Sequence, residues 1–220
     1  MPRSRTTPQP VLSPLRLPAL DPGDTAALAA HGVVEVMSFQ GTDLSHLDLT
    51  GTTFTECELL GVTAHGTTLT SARLIETRIE RLHAPVLEAS RSTWREVELV
   101  GSRLGALDID DAAVRTTRIV GCKFDWLNLR SATLEDVLFE DCTFDELDLT
   151  GVTATRVAFV NCRAGSLALA HARLRDVDLR GLEMGSIGNL ESLAGATLDA
   201  HQVAALAPAF AEHLRIRVEG

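Results

Sequence analysis

Apolar side chains recur at every fifth residue from Phe39 to Met184, thirty positions without a break. The series runs Phe39, Leu44, Leu49, Phe54, Leu59 and onward to Leu174, Leu179 and Met184. A period of five fits neither the 3.6-residue helix nor the two-residue strand. Two residues before each of these centres stands a second restricted series, Met37, Thr42, Leu47, Thr52, Cys57 and so on to Val177 and Leu182. It draws only on Ala, Cys, Ser, Thr, Val, Leu and Met. Each five-residue unit therefore turns two side chains inward, one large and one usually small, and shows three to solvent. Such a pattern predicts a solenoid, in which a unit buries its apolar side only by stacking on its neighbours.

A longer period lies on top of the first. Leu47, Leu87, Leu107, Leu127, Leu147 and Leu167 fall in one column at multiples of twenty, interrupted by Thr67, and Cys122, Cys142 and Cys162 form another. Twenty residues are four units, so each turn has four sides, and like residues stack at the roughly 4.8 Å spacing of paired strands. Gly41, Gly51, Gly61, Gly101, Gly121, Gly151, Asn161 and Gly181 occupy unit corners, where residues tolerant of tight turns belong. About seven and a half turns predict a rod on the order of 35 Å long.

The units Thr42-Asp43-Leu44-Ser45-His46, Leu47-Asp48-Leu49-Thr50-Gly51 and Val177-Asp178-Leu179-Arg180-Gly181 resemble the A(D/N)LXX pattern of the pentapeptide-repeat family. The resemblance covers residues 37 to about 188. It implies an all-β solenoid, a right-handed quadrilateral β-helix, here with a C-terminal helical cap. Three regions are expected: a Pro-rich N-terminal arm over 1–31, partly disordered or lying on the coil; the β-helix over 32–188; and a cap over 189–220. Residues 1–22 hold six of the eight prolines. Asn189 breaks the register, and Asp199 with Gln202 reads as an N-cap and capping box opening a helix around 199–214. Val203, Leu206, Phe210 and Leu214 recur there at helical spacing, and Pro208 is expected to kink or split the helix. This helix reads either as an intramolecular cap or as a dimer contact. The resemblance implies the second, because similar proteins pair through C-terminal helices into homodimers.

Charge narrows the partners. The chain has 220 residues, a net charge of −10 and an isoelectric point near 5.1. That balance disfavours direct binding to nucleic acid or to an anionic membrane, both of which require clustered Lys and Arg. The N-terminus has no apolar core of a secretory signal, and no stretch approaches the roughly 20 apolar residues of a membrane span. A cytoplasmic protein is expected. Cys57, Cys122, Cys142 and Cys162 all take the small inward position and read as core. His46, His65 and His83 share one side without a carboxylate column beside them, so no metal is expected. No catalytic triad spacing and no phosphate-binding glycine loop is present, so no cofactor and no enzyme activity are expected.

Function is left to the outside of the rod. One side carries Asp48, Glu88, Asp108, Asp110, Asp111 and Asp148, opposed mainly by Arg91 and Arg130. It is a candidate acidic partner-binding face. Trp126, two residues past a centre, points outward and is a candidate exposed hot spot. Leu60, Val100, Val120 and Val160 share an outward column. The resemblance implies a DNA mimic that binds DNA gyrase or another type II topoisomerase and modulates or protects it. The alternative is a scaffold for an unrelated protein partner.

Overall fold

Successive five-residue units carry the chain through four faces, and every twenty residues it arrives one rung higher. A computed structural model describes residues 6–218. On the first face Val34, Phe54, Leu74, Trp94, Val114, Leu134, Ala154 and Leu174 stack in parallel register, each twenty residues from the next. Phe39, Leu59, Ile79, Leu99 and Ile119 do the same on the second face. Leu104, Phe124, Phe144 and Ala164 stack on the third, and Leu107, Leu127, Leu147 and Leu167 at the start of the fourth. The first and second faces belong to one parallel sheet and the third and fourth to another.

The two inward side chains of each unit make one continuous core from Leu28 to Leu182. Aromatic rings stack rung on rung within it. Phe139 and Phe159 lie 4.8 Å apart and 5° from parallel, and Phe124 and Phe144 lie 5.5 Å apart at 7°. Trp94 is 1% exposed, and its indole N–H donates to Ser92 Oγ at 2.9 Å. Burying that ring is affordable only because its one polar atom has a partner.

Gly41, Gly51, Gly61, Gly101, Gly121, Gly151 and Asn161 are left-handed corners as expected, whereas Gly181 is not, and other corners do without glycine. Between the first and second faces every corner from Val36 to Asp176 is non-glycine yet left-handed, including β-branched Val36 (φ 56°) and Thr116 (φ 49°). Each corner N–H is held by a carbonyl of the next rung, as in Glu56 N–H to Ile75 O at 3.0 Å and Glu76 N–H to Arg95 O at 2.9 Å. That hydrogen bond offsets the steric cost of the conformation. Between the third and fourth faces the first corners, His46 and Gly66, are left-handed. From His83–Glu88 onward the strand runs straight across that corner, as in Arg103–Asp108 and Lys123–Asn128.

Both ends are tied to the coil. The arm is extended from Thr6 to Leu20 and then pairs Asp21–Pro22 with Met37–Ser38. A 3₁₀ turn at Thr25–Ala27, capped by Asp24, leads into the first rung. After Leu182–Gly188 comes a 3₁₀ turn at Leu190–Leu193, and then Ala196–Thr197 pairs with Val177 and Asp178. That last step is nineteen residues, one short of a full turn. The helix α1, Ala200–His213, begins at Asp199 with a complete capping box to Gln202. Contrary to the sequence expectation it runs unbroken through Pro208. Ala204 and Pro208 are both exposed, so the Ala204 carbonyl that proline cannot serve lies on the solvent side of the helix.

Candidate functional site

Asp108, Asn128 and Asp148 succeed one another in a single ladder on the fourth face, with Glu88 one rung below. Asp48 joins it through Thr68. Their first task is local. Asp48 Oδ1 accepts the Thr50 N–H at 3.0 Å, Asp108 Oδ1 that of Asp110 at 3.1 Å, and Asp148 Oδ1 that of Thr150 at 2.9 Å. Asn128 donates to Asp108 Oδ1 at 2.8 Å, and Arg130 Nε donates to Asp148 Oδ2 at 2.6 Å. These Asx turns lead into the left-handed corners Gly51, Asp111 and Gly151.

The acidic face expected from the sequence is therefore only partly presented. Asp148 is 1% exposed and Asn128 5%. Asp108 and Asp110 are half-buried, whereas Asp48, Glu88 and Asp111 are exposed. Burial pushes the Asp148 carboxyl up, but the Thr150 hydroxyl and N–H and the Arg130 guanidinium outweigh it and hold it below the ordinary carboxylate range. Asp148 is an ionised turn residue covered by its neighbours, not a free carboxylate facing a partner.

Trp126 also differs from expectation: it is half-buried rather than exposed. Its ladder neighbours are Ala106 and Glu146. An indole is wider than the about 4.8 Å rung spacing, so it lies against adjacent rungs. The N-terminal arm does not cover it, because the arm runs over the second face. In the apolar column on that face Leu60, Val100 and Val120 are half-buried and Val160 is 45% exposed.

At the C-terminus no residue of α1 is buried. Leu206 and Phe210 are half-buried, Val203 is 47% exposed and Leu214 65%. Ile216 at 57% and Val218 at 77% extend the same apolar surface. Arg215, left-handed at φ 56°, ends the helical spacing at Leu214, and Ile216 N–H turns back to Ala211 O at 2.8 Å.

Residues 38–77 match the family model of pentapeptide repeats, in eight copies. That stretch is built of pentapeptide repeats. No curated protein matches it in sequence. Among solved structures, full-length QnrB1, described as a plasmid-mediated fluoroquinolone resistance protein, is similar at 16% identity with a TM-score of 0.42, over 84% of this chain and 97% of that one. HetL, a pentapeptide-repeat protein involved in heterocyst differentiation regulation from Nostoc sp. strain PCC 7120, is similar at 14% identity with a TM-score of 0.25, over 77% of this chain and 90% of that one.

The interior of the coil encloses all four thiols, raising Cys57, Cys142 and Cys162, while the Cys142 side chain lowers Cys122. Cys142 Sγ lies 3.4 Å from Ile119 O and 3.2 Å from Glu140 O, and Cys122 and Cys162 repeat the arrangement one rung to either side. The neighbouring Cys122, with burial, pushes the Cys142 thiol up to about 12. Cys57 is raised by burial. Enclosed thiols of this kind are shut off from substrate and metal. His46 and His65 meet edge to face at 5.3 Å. Among the described residues no three His, Cys, Asp or Glu side chains gather as a metal-ligand set, and no helix is long and apolar enough to cross a membrane.

Proposed function

We propose that this chain is a non-enzymatic protein-binding rod that pairs with a second copy through its C-terminal segment. The observation that carries the pairing is the division of labour after residue 186. Ile187, Leu193, Ala196 and Leu198 pack against the core, so the last rung is already covered before α1 begins. The helix touches the coil through Gln202, whose Nε2 donates to Leu179 O at 2.7 Å and Leu182 O at 2.9 Å. Its apolar side and the tail to Val218 remain open. An apolar patch repeated on identical molecules favours an isologous dimer. Light scattering tests this: the full chain is expected at dimer mass, and Leu214→Asp with Ile216→Asp at monomer mass with the coil intact. A monomeric parent would sink the pairing.

Modulation of DNA gyrase by DNA mimicry is the narrower form of the reading. Net charge −10 and the exposed Asp48, Glu88 and Asp111 favour it. The buried Asn128 and Asp148 interrupt the acidic row, whereas duplex DNA places one charge about every 1.7 Å of axis. That interruption favours the broader reading, an interaction scaffold for another protein. A gyrase supercoiling assay, with and without a quinolone, separates the two. No effect at micromolar protein is expected, and inhibition or protection would restore mimicry.

A further inference from the structure

The second face is already occupied by a segment of the chain itself. The arm runs along the coil axis from the last rung to the first. Thr7 Oγ1 meets Thr197 Oγ1 at 2.6 Å, and Gln9 Nε2 donates to Asp178 Oδ2 at 3.1 Å. Val11 N–H donates to Asp136 Oδ1 at 2.9 Å, and Leu15 N–H to Glu98 Oε1 at 3.4 Å. At the far end Asp21 N–H reaches Val36 O and Gly23 N–H reaches Ser38 O. The seven rung steps from Ser38 to Asp178 span about 34 Å at strand spacing. Thirteen residues of polyproline chain at about 3.1 Å each reach about 40 Å, which matches.

Lying along the axis, the arm crosses the strands and cannot join their ladder, since the coil's own rungs use those hydrogen bonds. Its N–H groups must find side-chain acceptors or be absent. Proline at positions 8, 10, 14, 18 and 22 removes five donors. Two of those that remain meet carboxylates whose other lone pairs arginine holds in place. Arg156 binds Asp136 twice at 2.6 Å, and Arg78 binds Glu98 Oε2 at 3.1 and 3.2 Å, leaving Oε1 for the arm. Asp178 is fixed likewise by Arg180 for Gln9. On this face Ala158, beside the inward Phe159, is only 1% exposed. Leu12, Leu15, Leu17 and Leu20 are half-buried against the face.

We propose that the second face is a docking groove for an extended, proline-rich, leucine-bearing segment of a partner protein, with the arm as its resident occupant in cis. Arginine-set carboxylates supply acceptors at intervals for the donors that such a segment retains, and the rest of the surface takes its apolar side chains. This deepens the protein-binding reading by naming a partner class, and it stands or falls apart from gyrase and from pairing through α1. The test uses a labelled peptide of residues 6–22 and the full chain, unchanged and as Val11→Pro with Leu15→Pro, which removes both donors from the arm and leaves the groove untouched. Since apparent affinity scales with the fraction of open sites, the variant is expected to bind peptide at least about tenfold more tightly than the parent. Adding Glu98→Ala to the variant is expected to weaken that binding. Equal binding by parent and variant, or none by either, overturns the proposal. A fall in mass on loosening the arm overturns it too, by assigning the groove to the arm of a second copy. Circular dichroism reports folding. If the double variant unfolds, a full chain given a protease site between Pro22 and Gly23 and cut after folding carries the same comparison.

Discussion

Thr116 sits at φ 49° because rungs on both sides hold its strand, Ala113–Val120, in register. A β-branched residue in the left-handed region carries strain of about 1–3 kcal/mol, which glycine avoids at a smaller entropic cost. Thr116→Gly is therefore expected to stabilise the protein by about 1 kcal/mol, read as a rise in the urea midpoint. A lowered midpoint would show that the threonine side chain contributes more than its backbone costs. Asp148 shows where reading single residues stops. Its place one before a centre marks it as outward, correctly, but not that Thr150 and Arg130 cover it. Asp48, Glu88 and Asp111 are therefore exposed on that side, and Asp148 is not.

Among the elements, the straight third–fourth corner brings backbones unusually close at its glycines. A Cβ added at Gly165 would stand 2.6 Å from Asp145 O, a backbone atom that cannot step aside. At Gly61 a Cβ would meet nothing within 4 Å, and the penalty there comes only from φ +61°. Gly165→Ala is expected to cost about 1–3 kcal/mol and to exceed Gly61→Ala in thermal melts. The reverse order would refute the close approach. The strands themselves were legible, because the apolar period names each inward residue. The straight corner was not, since its residues follow no shared type: Pro85, Gly105, Asp125, Asp145 and Gly165 all stand at equivalent positions. The capping box of α1 was legible from Asp199 and Gln202, whereas the passage through Pro208 depended on which side of the helix meets water.

Across the whole molecule, acid should loosen the strap. The Asp136 carboxyl is held below its ordinary value of 3.8, first by Arg156 and with help from the Val11 N–H, and Asp178 likewise, first by Arg180 and then with Gln9. The unfolded chain thus takes up protons before the folded one. The stabilisation is complete above the ordinary carboxylate value and is lost as pH falls through the lower folded values. The thermal midpoint is expected to hold steady from about pH 7 to about pH 5 and to fall below about pH 4, with the Val11 N–H exchanging faster over the same range. Protection of Val11 that persists in acid would contradict the carboxylate anchor. The strap also sets what a partner meets first, because it spans the second face from Met37 to Thr197.

The amino-acid order alone is enough for the coil, its four sides, its inward residues and the core role of its cysteines. Each unit restates the same local instruction, and thirty restatements leave one packing. What lies on the outside was decided by the tertiary structure: which carboxylates reach solvent, that Trp126 is half-covered, that the arm crosses the second face, and that α1 keeps its apolar side open. Those outcomes rest on contacts such as Leu15 with Glu98 and Gln9 with Asp178, 83 and 169 residues apart. Each occurs once, between segments that share no period, so no repetition along the chain announces it.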